Sequence, residues 1–196
     1  MKKTLIFIAF VVFYISSFAQ KDFSGGFLFG IVASQVDGDE QAGYNKAGLS
    51  AGVYVTRPFS DITSFKIETY YAGKGAVSTQ ELADGISTEV FKTSLHYAET
   101  AFLLDFKLSK KFDVAAGFAP SYLFSSKLTR YKIEIDENLY SLKSFDFQPV
   151  CELNFYFAKS LFAGLRFSYS LFNIREDPFA IWDNNNLTLF FQYKVK

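Results

Sequence analysis

The chain has 196 residues, and its 20 Lys and Arg balance its 20 Asp and Glu, so the formal net charge is zero. A balanced charge does not indicate a nucleic-acid surface, which requires an excess of basic residues. Cys151 is the only cysteine, which excludes an intramolecular disulfide framework. The length fits one domain, and the chain is rich in aromatic residues, with 25 Phe and 12 Tyr against one Trp.

The first 19 residues predict a secretory signal peptide. Residues 1–3 form a basic start, residues 5–15 an apolar run, and Ser17-Phe18-Ala19 has the small residues of a cleavage site. The apolar run is short for a transmembrane helix. We therefore expect a signal peptide over residues 1–19, an exported protein, and a mature domain that spans residues 20–196.

After the signal, apolar and polar residues alternate with a period of two. In the first strand, expected near residues 25–36, Phe27 and Ile31 share one face while Leu28 and Ser34 belong to the other. The second and third strands are expected near residues 47–57 and 64–73. Such alternation is typical of strands whose two faces meet different surroundings.

The longest alternating stretch, residues 95–124, predicts a β-hairpin with a break at residues 109–111. Each arm has about 13 residues, more than twice the usual length of a strand in a soluble protein. One face of the hairpin is apolar, and the other carries charged residues such as Glu99 and Asp105 or very small side chains.

Three more strands are expected near residues 144–157, 161–171 and 187–195. Long and short connections alternate along the chain, and the longest loops are 74–93, 126–143 and 173–185. Residues 132–136 alternate, so we expect the ladder to protrude into water there and to turn near Glu137 and Asn138. Eight strands with short turns at one end and long loops at the other are typical of a small outer-membrane barrel.

The distribution of small residues favours a membrane barrel over a soluble sandwich. A soluble sandwich would turn its polar face to water, where Gly, Ala and Ser have no special use. In a membrane barrel the apolar face contacts lipid and the small or polar face fills a narrow lumen. The sequence therefore predicts an all-β fold, an eight-stranded antiparallel transmembrane up-and-down β-barrel with both termini on the periplasmic side. A soluble barrel of the lipocalin type is disfavoured, because its exterior would be too apolar.

Charged residues occur repeatedly at inward-facing positions. An eight-stranded barrel is barely wide enough for side chains, so these charges must pair with one another or with trapped water. The predicted charge network in the lumen consists of Lys66, Glu68, Glu99, Asp105, Glu152 and Arg166. The same parity also includes Lys107, Asp113, Asp146 and Lys194. A proton or ion path is the functional alternative to a structural network.

His96 is the only histidine, and its parity places it on the lipid-facing surface near the outer end of a strand. A metal site or a catalytic pair would need further ligands or partners that converge on it, and Cys151 faces outward as well. We expect an interfacial role for His96 and no catalytic residue, metal or cofactor. Aromatic residues near strand ends suit the interfacial girdles of a barrel. These predicted girdle residues are Tyr71, Tyr122, Tyr169, Trp182 and Tyr193.

Three parts of the chain carry a resemblance to a known family. They are Leu95–Glu99 followed by Phe102–Leu104, then Ala116–Tyr122, and then Arg166–Ile174. In these parts the chain resembles the PorT-like outer-membrane β-barrel proteins of Gram-negative bacteria. It departs from them at Thr100-Ala101, where the family commonly has an apolar residue and Pro, and at a C-terminus that does not end on an aromatic residue. The resemblance implies an outer-membrane barrel, in a family that includes a secretion-machinery component and many barrels of unknown role.

The sequence favours a non-enzymatic envelope component with a side-chain-filled lumen. Its expected partners are outer-membrane lipid and an envelope protein, which would bind the long loops or the periplasmic turns. We expect a monomer that does not bind nucleic acid. A small pore or transporter of the outer membrane and a barrel enzyme acting on lipid or peptide remain as alternatives.

Overall fold

The structure is a computed structural model that describes residues 23–39, 43–81, 87–135, 141–177 and 179–195. The predicted signal peptide, residues 1–19, lies outside the described residues. The described residues form nine strands, in chain order β1 (Ser24–Asp37), β2 (Lys46–Pro58), β3 (Thr63–Glu81), β4 (Ser87–Lys107), β5 (Phe112–Arg130), β6 (Ile133–Glu134), β7 (Phe145–Ala158), β8 (Leu161–Tyr169) and β9 (Asp183–Val195).

Eight of these strands close into a ring. Each long strand pairs antiparallel with its neighbours in the chain, β1 pairs with β9, and the two-residue β6 adds only to the outer end of β5. Because the ladder is closed, the ring has no open sheet edge at the level of its long strands. The structure therefore confirms the predicted all-β antiparallel barrel.

The side chains alternate as they do in a membrane protein, with apolar groups outside and charges inside. On β1, Ser34 is completely buried in the interior, whereas Ile31 on the opposite face is 59% exposed. Glu68 on β3 is completely buried as well. An apolar exterior around a polar interior is the reverse of a soluble protein and suits a hydrocarbon environment. The described residues contain no helix that is long and apolar enough to cross a membrane.

The turns at one end of the barrel, which the sequence predicts to be the periplasmic end, are short and have a defined local structure. In the β2–β3 turn, the Ser60 hydroxyl accepts hydrogen bonds from the amides of Ile62 and Thr63. The Ser109 hydroxyl does the same for Lys111 and Phe112 in the β4–β5 turn. Serine favours such turns because its side chain can replace a backbone acceptor.

At the opposite end of the barrel, β3 and β4 extend further than the other strands. β3 and β4 remain paired up to Glu81 and Ser87, well beyond the predicted end of the third strand near residue 73. The predicted turn near Glu137 and Asn138 lies outside the described residues. Within them the ladder turns earlier, at Tyr131 and Lys132, which adopt positive φ angles of 49° and 65°. Within the described residues, β5 ends at Arg130 and the two-residue β6 folds back onto it, so residues 132–135 do not continue the ladder outward as predicted.

Candidate functional site

Four charged side chains meet in the middle of the barrel. Lys66 Nζ lies 2.7 Å from Glu152 Oε2 and 3.2 Å from Glu68 Oε1. Arg166 Nε lies 2.7 Å from Glu152 Oε1, and its Nη2 contacts Glu68. All four side chains have relative exposures of 3% or less. Since two cations face two carboxylates, this central cluster is balanced in charge and bridges β3, β7 and β8.

The register of the sheet explains how these residues meet. Glu152 and Arg166 are directly paired on β7 and β8, so they interact as cross-strand neighbours. Lys66 and Glu68 are alternate residues of β3 and therefore point to the same side. They reach Glu152 and Arg166 across the lumen, which requires the closed ring.

Aromatic rings hold the Arg166 guanidinium on both sides. Its Cζ atom lies 4.5 Å from the ring centroid of Tyr70 and 4.8 Å from that of Phe190. Gly164 makes room for Phe190, because a Cβ at this position would come within 2.3 Å of the ring. Cation–π contacts in a desolvated site add to the ion pairs, so both kinds of contact hold Arg166 in place.

A second polar group fills the lumen towards the extracellular end. Lys74 Nζ contacts Glu99 and donates to Gln148 Oε1 at 2.8 Å. Asp146 Oδ2 then accepts hydrogen bonds from Gln148 at 2.5 Å and from Asn184 at 3.0 Å. The polar interior thus continues from the central cluster towards the loops, with neutral amides as well as charges.

Lys74 is absent from the network predicted from the sequence, because the third strand was expected to end near residue 73, whereas β3 continues to Glu81. The available signal was the alternation itself, because Lys74 has the same parity as Lys66 and Glu68. A buried lysine at this parity needs a carboxylate, and Glu99 supplies it.

An apolar cluster closes the interior above these polar groups. Ile174 and Trp182, from the segment between β8 and β9, pack with the buried side chains of Val36, Leu95 and Tyr97. The loop is held in this position because the Trp182 amide donates to Asn173 Oδ1 at 2.9 Å. The lumen therefore contains a charged middle and an apolar extracellular end.

Trp182 is a correction to the predicted interfacial aromatic girdles. The sequence placed it at the lipid surface, but it is 5% exposed and belongs to the interior cluster. Arg175 lies over its ring, 5.0 Å from the centroid. A loop residue has no strand parity to indicate its direction, so the fold of the loop decided its position.

The other predicted aromatic residues lie on the outer face. Tyr122 and Tyr193 are exposed near opposite ends of the barrel, and Tyr169 and Tyr71 are partly exposed. The Tyr71 hydroxyl lies 2.6 Å from Nδ1 of His96. This hydrogen bond to Tyr71 gives the His96 ring a structural partner at the lipid surface.

The predicted lumen residues are placed as follows. Six of them are buried within the barrel, namely Lys66, Glu68, Glu99, Asp105, Glu152 and Arg166. Asp113 and Asp146 are buried too, whereas Lys107 and Lys194 are exposed at the periplasmic end. Within the described ranges, no group of three or more His, Cys, Asp or Glu side chains is arranged to hold a metal ion. The chemistry available in the central cluster is that of fixed, paired charges.

Known structures with the same architecture include two small bacterial surface proteins. The structure of Ail, the attachment invasion locus protein of Yersinia pestis, aligns with a TM-score of 0.53 and 10% identity over 89% of this chain and 99% of that one. Neisserial surface protein A aligns with a TM-score of 0.54 and 7% identity over 87% of this chain and 97% of that one. Identities this low establish the fold alone.

Sequence comparison assigns the family. No curated protein matches the chain. The sequence profile described as "Outer membrane protein beta-barrel domain" matches residues 18–176, which is most of the chain. Together with the closed ring and its apolar exterior, this match means that the chain belongs to the outer membrane protein beta-barrel domain family and is an outer-membrane protein.

Proposed function

We propose that the protein is a non-enzymatic structural or partner-binding component of the bacterial outer membrane, with a lumen closed by its own side chains. The observation that carries this proposal is the central cluster, in which Arg166 and Lys66 bridge Glu68 and Glu152 across the barrel. A permeating solute would have to displace paired charges that are desolvated, which is costly. The apolar cluster around Trp182 adds a second obstruction at the extracellular end.

Within the family, we propose the PorT-like group and a mature monomer released by cleavage after Ala19. The support for the group is the resemblance at Leu95–Glu99, Phe102–Leu104, Ala116–Tyr122 and Arg166–Ile174. Support for export is the pattern of the first 19 residues. Mass spectrometry of protein extracted from outer membranes tests this directly, and an N-terminus at Gln20 is the expected result.

The paired extensions of β3 and β4 supply a surface for a protein partner. They continue from the Ala76–Thr93 pair to the Glu81–Ser87 pair, beyond the level at which β2 begins with Lys46. A protruding ladder of this kind offers backbone edges and side chains away from lipid. The barrel below does not depend on these pairs for closure, so shortening the extension should preserve the fold and remove only the partner surface.

Single-channel recording separates this proposal from a pore. Purified wild-type protein in planar bilayers should give conductance near the background of a protein-free bilayer, while a porin recorded in parallel shows large steady steps. The folded state of the same sample should be verified by heat-modifiable gel mobility, because a closed ladder resists detergent until it is heated. Steady single-channel steps from the folded wild-type protein would reject the closed-lumen proposal.

A small pore is the second candidate, and the charge of the interior is the observation that favours it. Among the described residues, the buried side chains include six carboxylates but only three cations, Lys66, Lys74 and Arg166. An excess of buried negative charge attracts cations. If the barrel conducts, it should therefore be selective for cations, which reversal potentials in asymmetric salt measure.

A further inference from the structure

The periplasmic mouth of the barrel contains a cavity that the closed-lumen proposal does not use. Its volume is about 470 Å³, and it opens among the β2–β3, β4–β5 and β7–β8 turns. Asp105 and Asp113 line its wall, while Lys107, Lys110 and Lys159 lie at its rim. A smaller cavity of about 140 Å³ beside it reaches inward to Lys66.

The two buried carboxylates of this cavity, Asp105 and Asp113, have no cation that pairs with them alone. Asp105 lies 3.4 Å from Lys66 Nζ, but Lys66 already lies closer to Glu68 and Glu152. Since the central cluster is balanced without Asp105, the charge of this residue is in excess. Its remaining contact is the Ser64 hydroxyl at 3.5 Å.

The negative charge of Asp113 is even less neutralised than that of Asp105. It is 5% exposed, and its Oδ2 accepts a hydrogen bond from the Tyr156 hydroxyl. Its Oδ1 is buried and has no hydrogen-bond partner. Among the described residues, no lysine or arginine forms an ion pair with Asp113. A buried carboxylate with an unused oxygen is costly and favours a cationic donor.

Lys107 is the residue best placed to neutralise Asp113 within the chain. The two residues are directly opposite in the β4–β5 register. Lys107 is nevertheless exposed at the rim and not paired with the carboxylate. The buried carboxylates of Asp105 and Asp113 therefore lie inside the mouth, whereas the exposed ammonium groups of the lysines lie at its rim, where Asp61 is an exposed carboxylate.

Apolar side chains line the cavity together with these charges, among them Pro58, Ile62 and Phe157. An aliphatic chain can pack against such a wall, while polar groups at its two ends fix its orientation. A ligand that matches this order has an ammonium group at one end, a short apolar middle and a carboxylate at the other.

We propose that the periplasmic mouth binds a small zwitterion of the ω-amino-acid type, with its ammonium group between Asp113 and Asp105 and its carboxylate at the rim lysines. The site is distinct from the closed lumen and lies on the opposite end from the protruding β3–β4 ladder. The zwitterion can be a free amino acid or the C-terminal lysine of a peptide, because both carry these two charged groups.

The test is a binding titration on the full mature protein in phospholipid nanodiscs. Backbone amide chemical shifts measured by NMR report the binding. Three probes share one chain length: ε-aminocaproate has both charged ends, hexylamine has only the ammonium group, and caproate has only the carboxylate. We expect ε-aminocaproate to bind most tightly and to shift amides near Asp113 and Tyr156. Hexylamine should bind more weakly, and caproate should not bind.

The key variant is Asp113→Asn, which keeps the shape of the side chain and removes its charge. It should weaken ε-aminocaproate binding at least about tenfold, because a hydrogen bond to a charged group is lost. Glu134→Gln is the matched control, since Glu134 is an exposed acidic residue on β6, near the opposite end of the barrel and outside the cavity. It should bind as the wild type does, and heat-modifiable mobility should confirm that both variants are folded.

Two probes distinguish the source of the zwitterion. Tighter binding of Nα-acetyl-lysine than of ε-aminocaproate would identify a peptide C-terminus, and the reverse order would identify a free amino acid. The proposal is overturned if the wild type binds none of the probes, if caproate binds as well as ε-aminocaproate, or if Asp113→Asn binds unchanged. Because this titration does not depend on conductance, the site and the closed-lumen proposal can fail separately.

Discussion

Replacing Arg166 by Met should destabilise the barrel strongly. Methionine preserves much of the volume between the Tyr70 and Phe190 rings but removes the charge that both Glu68 and Glu152 contact. Breaking a buried ion pair by removing one partner costs about 3–5 kcal/mol. Lys66 Nζ still lies 2.7 Å from Glu152 and 3.2 Å from Glu68 in the wild-type geometry. Because this cation remains, we expect a loss at the lower end of that range, about 3 kcal/mol.

Urea unfolding in phospholipid vesicles measures this loss, with the fluorescence of Trp182 as the signal. Trp182 is the only tryptophan of the chain and is buried in the apolar cluster, so its emission should shift when the barrel unfolds. Arg57→Met is a matched control, because Arg57 is exposed at the end of β2. It should change the free energy of unfolding by less than about 0.5 kcal/mol.

A double variant tests the cause of the effect. Adding Glu152→Gln to Arg166→Met removes one negative charge together with the positive one, so at least about 1 kcal/mol should return. If Arg166→Met is as stable as the wild type, the central cluster does not hold the barrel together. If the double variant loses as much as the two single variants combined, the loss arises from packing and not from unpaired charge.

Three further predictions follow from the fold. Leu165→Arg should cost about 2–4 kcal/mol because Leu165 faces lipid in the middle of β8, whereas Leu171→Arg near the extracellular rim should cost no more than about 1 kcal/mol by the same unfolding assay. Lys74→Met should cost about 3 kcal/mol by stranding Glu99, and Glu99→Gln in the same chain should restore part of it; no recovery would contradict the pairing. Gly164→Val should displace the Phe190 ring and cost about 1–3 kcal/mol, and a variant with wild-type stability would show that the ring is free to move.

The sequence alone determined the number of long strands and the face that most residues within them occupy, whereas it ended the third strand about eight residues too early. A period of two is a local property, and each strand of a barrel repeats it independently of its partners. The inward placement of Glu68, Glu152 and Arg166 could therefore be predicted, as could the outward placement of Tyr122 and Tyr193. Composition and the small residues of the inner face then favoured a membrane barrel over a soluble sandwich.

Only the tertiary structure decided which inward residues touch. Arg166 and Glu68 are 98 residues apart and meet because the ring closes through β1 and β9. β3 and β4 pair with each other up to Glu81 and Ser87, so Lys74 lies in a strand and not in the predicted loop. Trp182 lies in a loop, where no alternation indicates a direction, and its burial follows from the packing of that loop onto the barrel end. Local periodicity sets the direction of each side chain, whereas closure and loop packing, which are non-local, set its partner.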